Sequence, residues 1–174
     1  MQYRRANTAG GTYFFTVNLA ERKRTLLTDH IDMLRSAIRY VKRRHPFNID
    51  AVVVLPDHLH TIWTLPENDA NFAMRWSLIK AGFSRALPKT ERINNSRRKK
   101  RERGIWQRRY WEHQIRDDID FHRHVDYVHN NPVKHGYVRN PADWLYSSIH
   151  VYIRTGKIPA SWSVGLDEDD GFGE

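Results

Sequence analysis

His58 and His60 flank Leu59 within Val52-Val53-Val54-Leu55-Pro56-Asp57-His58-Leu59-His60-Thr61-Ile62-Trp63. In an extended strand successive side chains alternate faces, so both histidines point one way and Leu59 points into a core. Their Cα atoms lie roughly 6–7 Å apart, within reach of a single metal ion. Two polar residues on the solvated face of a half-buried strand would give the same pattern, so the pair gains meaning only from what accompanies it.

The second group is Tyr127-Val128-His129-Asn130-Asn131-Pro132-Val133-Lys134-His135-Gly136. Tyr127 and Asn131 are four apart and share one face of a helix. A phenol can attack phosphorus, and an amide oxygen can help ligate a hard divalent cation. The plainer readings are a tyrosine packed at a helix edge and an asparagine capping a helix before Pro132.

Positioning these groups takes a short series of elements. Residues 12–19, after Gly10-Gly11, are β-branched and aromatic and read as a strand. Ile31, Leu34, Ile38 and Val41 recur at helical spacing over residues 29–44, with Asp29 able to cap and Pro46 beyond. Residues 48–55 and the histidine-bearing stretch pair as an antiparallel hairpin. Phe72, Trp76, Ile79 and Phe83 mark a helix over 71–87. Residues 88–110 hold ten Lys or Arg among 23 and no apolar period, which predicts a mobile basic loop. A strand within 105–115, a helix over 117–131 stopped by Pro132, and one more short helix within 142–154 complete the chain. This order predicts an α+β fold, an antiparallel sheet with flanking helices in ferredoxin-like (RRM-like) connectivity. Residues 1–160 read as one domain with a basic insertion near 88–104, and 161–174 as an acidic flexible tail.

The 174-residue chain has length for a sizeable core, and its six Trp, eight Tyr and seven Phe argue for a folded globule. A net charge of +9 points to a polyanionic partner. Residues 1–166 alone carry +14, because five acidic side chains cluster in the tail. No apolar run is long enough to span a membrane and no signal peptide is evident, so a cytoplasmic protein is expected. With no Cys, disulfides and thiolate metal sites are excluded.

Taken jointly, His58-Leu59-His60, the lone tyrosine of His124-Val125-Asp126-Tyr127, and Asn131-Pro132-Val133-Lys134-His135-Gly136 resemble the single-tyrosine HUH (His-hydrophobic-His) transposases. Tyr3-Arg4-Arg5, Gly10-Gly11-Thr12, Phe14-Phe15-Thr16-Val17-Asn18-Leu19, Trp106-Gln107 and Trp111-Glu112-His113 bring the chain closer to the REP-associated tyrosine transposases, over roughly residues 3–150. The resemblance implies an HUH endonuclease fold, His58, His60 and Asn131 as metal ligands, and Tyr127 as nucleophile. Insertion-sequence relatives commonly carry Gln at the position of Asn131. The implied reaction is transesterification on single-stranded DNA beside REP-type hairpins, giving a 5′-phosphotyrosine and a free 3′-hydroxyl, with rejoining by the reverse step. It needs Mg²⁺ or Mn²⁺ and no nucleotide cofactor, and the REP-associated group resembles monomers. Arg4 and Arg5 are expected at a hairpin foot, and Arg97, Arg98, Lys99, Lys100, Arg101, Arg108 and Arg109 on phosphates. A domesticated hairpin DNA-binding protein with little or no catalysis in the cell is the competing reading.

Overall fold

A computed structural model describes residues 7–164. Arg4, Arg5 and the acidic tail therefore lie outside the described residues. The strands are β1 (Thr12–Asn18), β2 (Asn48–Val54), β3 (His58–Thr64) and β4 (Trp111–Gln114). The helices are α1 (Leu26–Asp29), α2 (Ile31–Arg44), α3 (Phe72–Ala86), α4 (Asn95–Lys99), α5 (Asp118–Lys134) and α6 (Ile149–Arg154), with a 3-10 turn at Pro141–Asp143. Among the described residues no helix is long and apolar enough to cross a membrane.

The sheet order is β2-β3-β1-β4, and all three pairings are antiparallel. This is the ferredoxin-like arrangement expected from the element order. Tyr13, Phe15, Val17, Leu59 and Trp63 point to one face and join the core built with α2 and α3. Trp63 stacks on Trp76 of α3 at 4.2 Å between ring centroids. Phe14, Ile62, Ala51 and Val53 point to the other face, where Val125 and Val128 of α5 cover them. The central strand β1 is apolar on both sides because helices pack on both. The outer edge of β2 is closed by the chain near α6: Val54 N–H donates to Tyr146 O and Ser148 N–H to Val52 O, each at 2.8 Å.

Several elements depart from the sequence reading. Asp29 does not cap α2. It ends α1 and accepts a 2.6 Å hydrogen bond from Thr25 Oγ1. Residues 88–110 are not a featureless loop. Asn94 caps α4 by accepting from Arg97 N–H at 2.9 Å. Arg103 clamps the segment, donating to Glu91 Oε1 at 2.6 Å and Oε2 at 2.8 Å and to Leu87 O and Pro88 O at 2.8 Å. Its guanidinium holds the Glu91 carboxyl down at about 2, against the penalty of burial.

Most consequentially, α5 does not stop before Pro132 but runs through it to Lys134. The stop is Gly136, at φ +72°. Gly136 N–H donates to Val133 O and Tyr137 N–H to Pro132 O, both at 2.9 Å, the paired bonds of a Schellman ending. Asn131 is thus interior to the helix, and the cap falls on His135. A Cβ on Gly136 would meet nothing within 4 Å, so only the left-handed backbone opposes substitution. Gly136→Ala should therefore cost about 1 kcal/mol in urea unfolding. A neutral result would mean that the glycine is not what ends the helix.

Candidate active site

Strand register assembles the histidines. His60 lies opposite Thr16, and His58 opposite Asn18. Both imidazoles face α5, with ring centroids 5.0 Å apart, and both residues are buried. Each ring is held by its Nδ1. His58 Nδ1–H donates to Asp57 Oδ1 at 2.7 Å, and His60 Nδ1 shares a 2.8 Å hydrogen bond with Thr16 Oγ1. Asp57 in turn takes a hydrogen bond and ion pair from Arg22 Nε.

The turn carrying Asp57 is pinned by backbone bonds from Leu19 N–H to Asp57 O at 2.8 Å and from Leu27 N–H to Pro56 O at 3.1 Å. Burial works against the Asp57 charge, yet the bonds from Arg22 and His58 outweigh it and hold the carboxyl below its ordinary value. Burial pushes His58 down, against the pull of Asp57, which favours the neutral imidazole that a metal needs. His58 Nε2 is buried and accepts no hydrogen bond, and neither does the buried Oδ1 of Asn18, its partner in register. A buried acceptor without a partner calls for a cation or a donor. An imidazole fixed at Nδ1 with Nε2 presented is the usual posture of a ligating histidine.

Helix α5 brings the rest. The Tyr127 ring stands edge-on to His60 at 5.2 Å and to Phe14 at 5.9 Å. Asn131 follows one turn later and is fully buried. Lys134 Nζ lies 5.1 Å from the centre of the Tyr127 ring, and the His135 ring 5.0 Å from that of His58. Four sequence-predicted residues, His58, His60, Tyr127 and Asn131, thus lie on the facing surfaces of β3 and α5. Sequence reading assigned no role to the supports Asp57, Thr16 and Arg22 or to the neighbours Asn18 and His135. Asp57 stood in the motif itself, but Thr16 and Asn18 could be placed only through register.

A second cluster lies beyond Phe14, whose ring is 5.7 Å from His60 and 4.8 Å from His124. His113 on β4 and Asp120 and His124 on α5 bring possible ligand atoms within 4.8 Å of one another, and these residue types fit a divalent cation. As arranged, the same atoms serve hydrogen bonds. His113 Nε2–H donates to Asp120 Oδ2 at 2.8 Å, and His124 Nδ1–H donates to the Asp120 carbonyl at 2.8 Å. Burial disfavours the Asp120 charge, but the His113 bond and the Arg116 backbone N–H hold it at about 2. Burial likewise lowers His124.

The expected DNA contacts divide into two kinds. Arg97 donates to Trp106 O at 3.1 Å, and Arg108 donates to Glu102 Oε2 at 2.8 Å and Ser96 Oγ at 3.0 Å, so both brace the insertion. Arg98, Lys99, Lys100, Arg101 and Arg109 are exposed. Trp106 is buried on Phe83, with ring centroids 5.4 Å apart. Arg4 and Arg5 fall outside the described residues.

Residues 10–131 match the family model described as "Transposase IS200 like", a span that takes in both histidines, Tyr127 and Asn131. An Escherichia coli (strain K12) REP-associated tyrosine transposase is 48% identical over 162 residues, 93% of this chain and 90% of its own length. A Haemophilus influenzae protein assigned to the same family is 50% identical over 166 residues, 95% of this chain and 94% of that protein. A solved structure of a REP-associated tyrosine transposase bound to a REP hairpin superposes with a TM-score of 0.86 at 45% identity, covering 100% of this chain and 97% of that one. Fold, family match and near-full-length relatives agree, and the chain belongs to the REP-associated tyrosine transposases of the IS200-like family.

Proposed function

We propose that this protein cuts and rejoins single-stranded DNA beside REP-type hairpins through a 5′-phosphotyrosine on Tyr127. The observation that carries the reading is a tyrosine ring 5.2 Å from His60, beside two buried imidazoles each anchored at Nδ1. The hairpin-bound relative supports the substrate class.

His58 and His60, through Nε2, and Asn131, through its amide oxygen, would hold a divalent cation, Mn²⁺ accepting imidazole more readily and Mg²⁺ preferring the oxygen ligands that Asn131, phosphate and water supply. Such an ion supplies Lewis-acid charge to the non-bridging oxygens of the scissile phosphate. The His113–Asp120–His124 cluster is the less suitable holder for that role, because Phe14 separates it from His60.

The covalent step belongs to Tyr127. Its Oη forms a bond to phosphorus as the P–O3′ bond breaks; the phenol proton leaves, and the departing oxygen ends as a 3′-hydroxyl. Lys134 sets positive charge over the ring that becomes phenolate. One phosphodiester is exchanged for another, so the reverse attack by a 3′-hydroxyl rejoins strands without a nucleotide cofactor.

Exposed Arg98, Lys99, Lys100, Arg101 and Arg109 contact phosphates in this reading, with Arg97 and Arg108 shaping the insertion that presents them. Replacing Arg98, Lys99 and Lys100 by Ala should flatten the dependence of log K on log salt by up to about 2–3, roughly 0.7–0.9 per lost contact. An unchanged slope in a NaCl titration would remove α4 from the DNA path.

The reaction is tested on denaturing gels with hairpin oligonucleotides taken from beside the gene. A 3′-label should move into an SDS-resistant adduct, whereas a 5′-label should appear in a shortened free strand. Tight binding without an adduct on any of these palindromes would favour a hairpin-binding protein instead.

A further inference from the structure

Trp111 opens β4 at the sheet edge and stands outside both apolar clusters among the described residues. Register places it in one row with the site: Val53 pairs with His60, His60 with Thr16, and Thr16 with Trp111. Residues in one row of antiparallel strands share a face, so the indole is on the His60 side of the sheet. With neighbouring strands about 4.8 Å apart, its Cα lies about 10 Å from that of His60.

Thr16 and His60 in that row are fully buried, yet Trp111 is 44% exposed. The row two residues along is different. There Phe14 and His113 are engaged by α5 through His124 and Asp120, which leaves Trp111 at the end of β4 away from those contacts. Exposed Arg109 lies two residues before Trp111, and an aromatic face beside a cation is the arrangement that holds single-stranded nucleic acid.

We propose that Trp111 is the stacking platform for an unpaired base adjoining the scissile phosphate, an assignment that rests on the transesterase reading above. It fixes the register of the strand across the site and makes no use of base identity, since every base offers a π-face.

The test uses the full chain and a hairpin oligonucleotide whose single-stranded flank crosses the cleavage position. Single abasic sites are walked along that flank, and Kd is measured for the wild type, Trp111→Ala and Trp111→Phe. One abasic position should weaken wild-type binding roughly 5- to 150-fold, the usual range for one base stacked on an aromatic side chain. Trp111→Ala should lose a similar factor on the intact oligonucleotide and be insensitive to that abasic position, with Trp111→Phe restoring much of both. Identical abasic profiles for wild type and Trp111→Ala overturn the assignment, as does a Trp111→Ala effect confined to oligomeric state. Adduct formation is followed in parallel. Identical profiles with a normal adduct reject the platform and leave the transesterase standing, whereas no adduct from wild type rejects both.

Discussion

Tyr127→Phe is expected to eliminate the covalent DNA adduct while hairpin affinity stays within about threefold. The substitution removes one oxygen and keeps the ring, whose edge-on contacts with His60 and Phe14 hold α5 against the sheet. Loss of a nucleophile that forms the intermediate typically lowers turnover by on the order of 10⁴-fold or more. Affinity depends mainly on phosphate neutralisation and base stacking, neither of which uses the phenol oxygen. The comparison needs one labelled hairpin, titrated on native gels and trapped on denaturing ones. A normal yield of adduct from the Phe variant would reassign the nucleophile.

The second large effect concerns the histidines. His58→Asn and His60→Asn should lose cleavage by on the order of 10²-fold or more at limiting Mn²⁺, with hairpin binding retained. Asn is chosen over Ala because both positions are buried, and an empty space there would add a stability cost. Asp57→Asn, which touches His58 only through Nδ1, should weaken metal affinity by about 10- to 100-fold, the range for a group that orients a ligand. His113→Asn serves as the contrast. If it abolished metal-dependent cleavage while the His58 and His60 variants kept it, the reacting cation would belong to the β4–α5 cluster instead.

The sequence made some of this legible and hid the rest for physical reasons. The β2–β3 hairpin could be read because its strands are β-branched and its turn holds Pro56-Asp57. Helix α3 could be read because Phe72, Trp76, Ile79 and Phe83 recur at helical spacing, and all four are buried. These are local signals. What escaped depends on partners far along the chain. Helix α4 sits in a run of cations with no apolar stripe. It is held by Asn94 and by Arg103 reaching across to Glu91, a pairing that charge composition does not reveal.

Pro132 misled for a different reason. Steric bias against helix before proline is a tendency, and the Gly136 ending overrides it four residues later. That extension keeps Asn131 and Lys134 on the helix and places His135 against His58. For the site itself, residue types named the histidines and the tyrosine, whereas Thr16, Asn18 and Trp111 became visible only when register set them in rows with His58 and His60.

The most direct measurement is tandem mass spectrometry of the nuclease-trimmed adduct formed on a hairpin substrate. The account predicts a single nucleotide-phosphate modification on the peptide containing Tyr127, carried by the phenol oxygen and derived from the strand 3′ of the cut. The same modification on another of the eight tyrosines, or on a histidine, would contradict it.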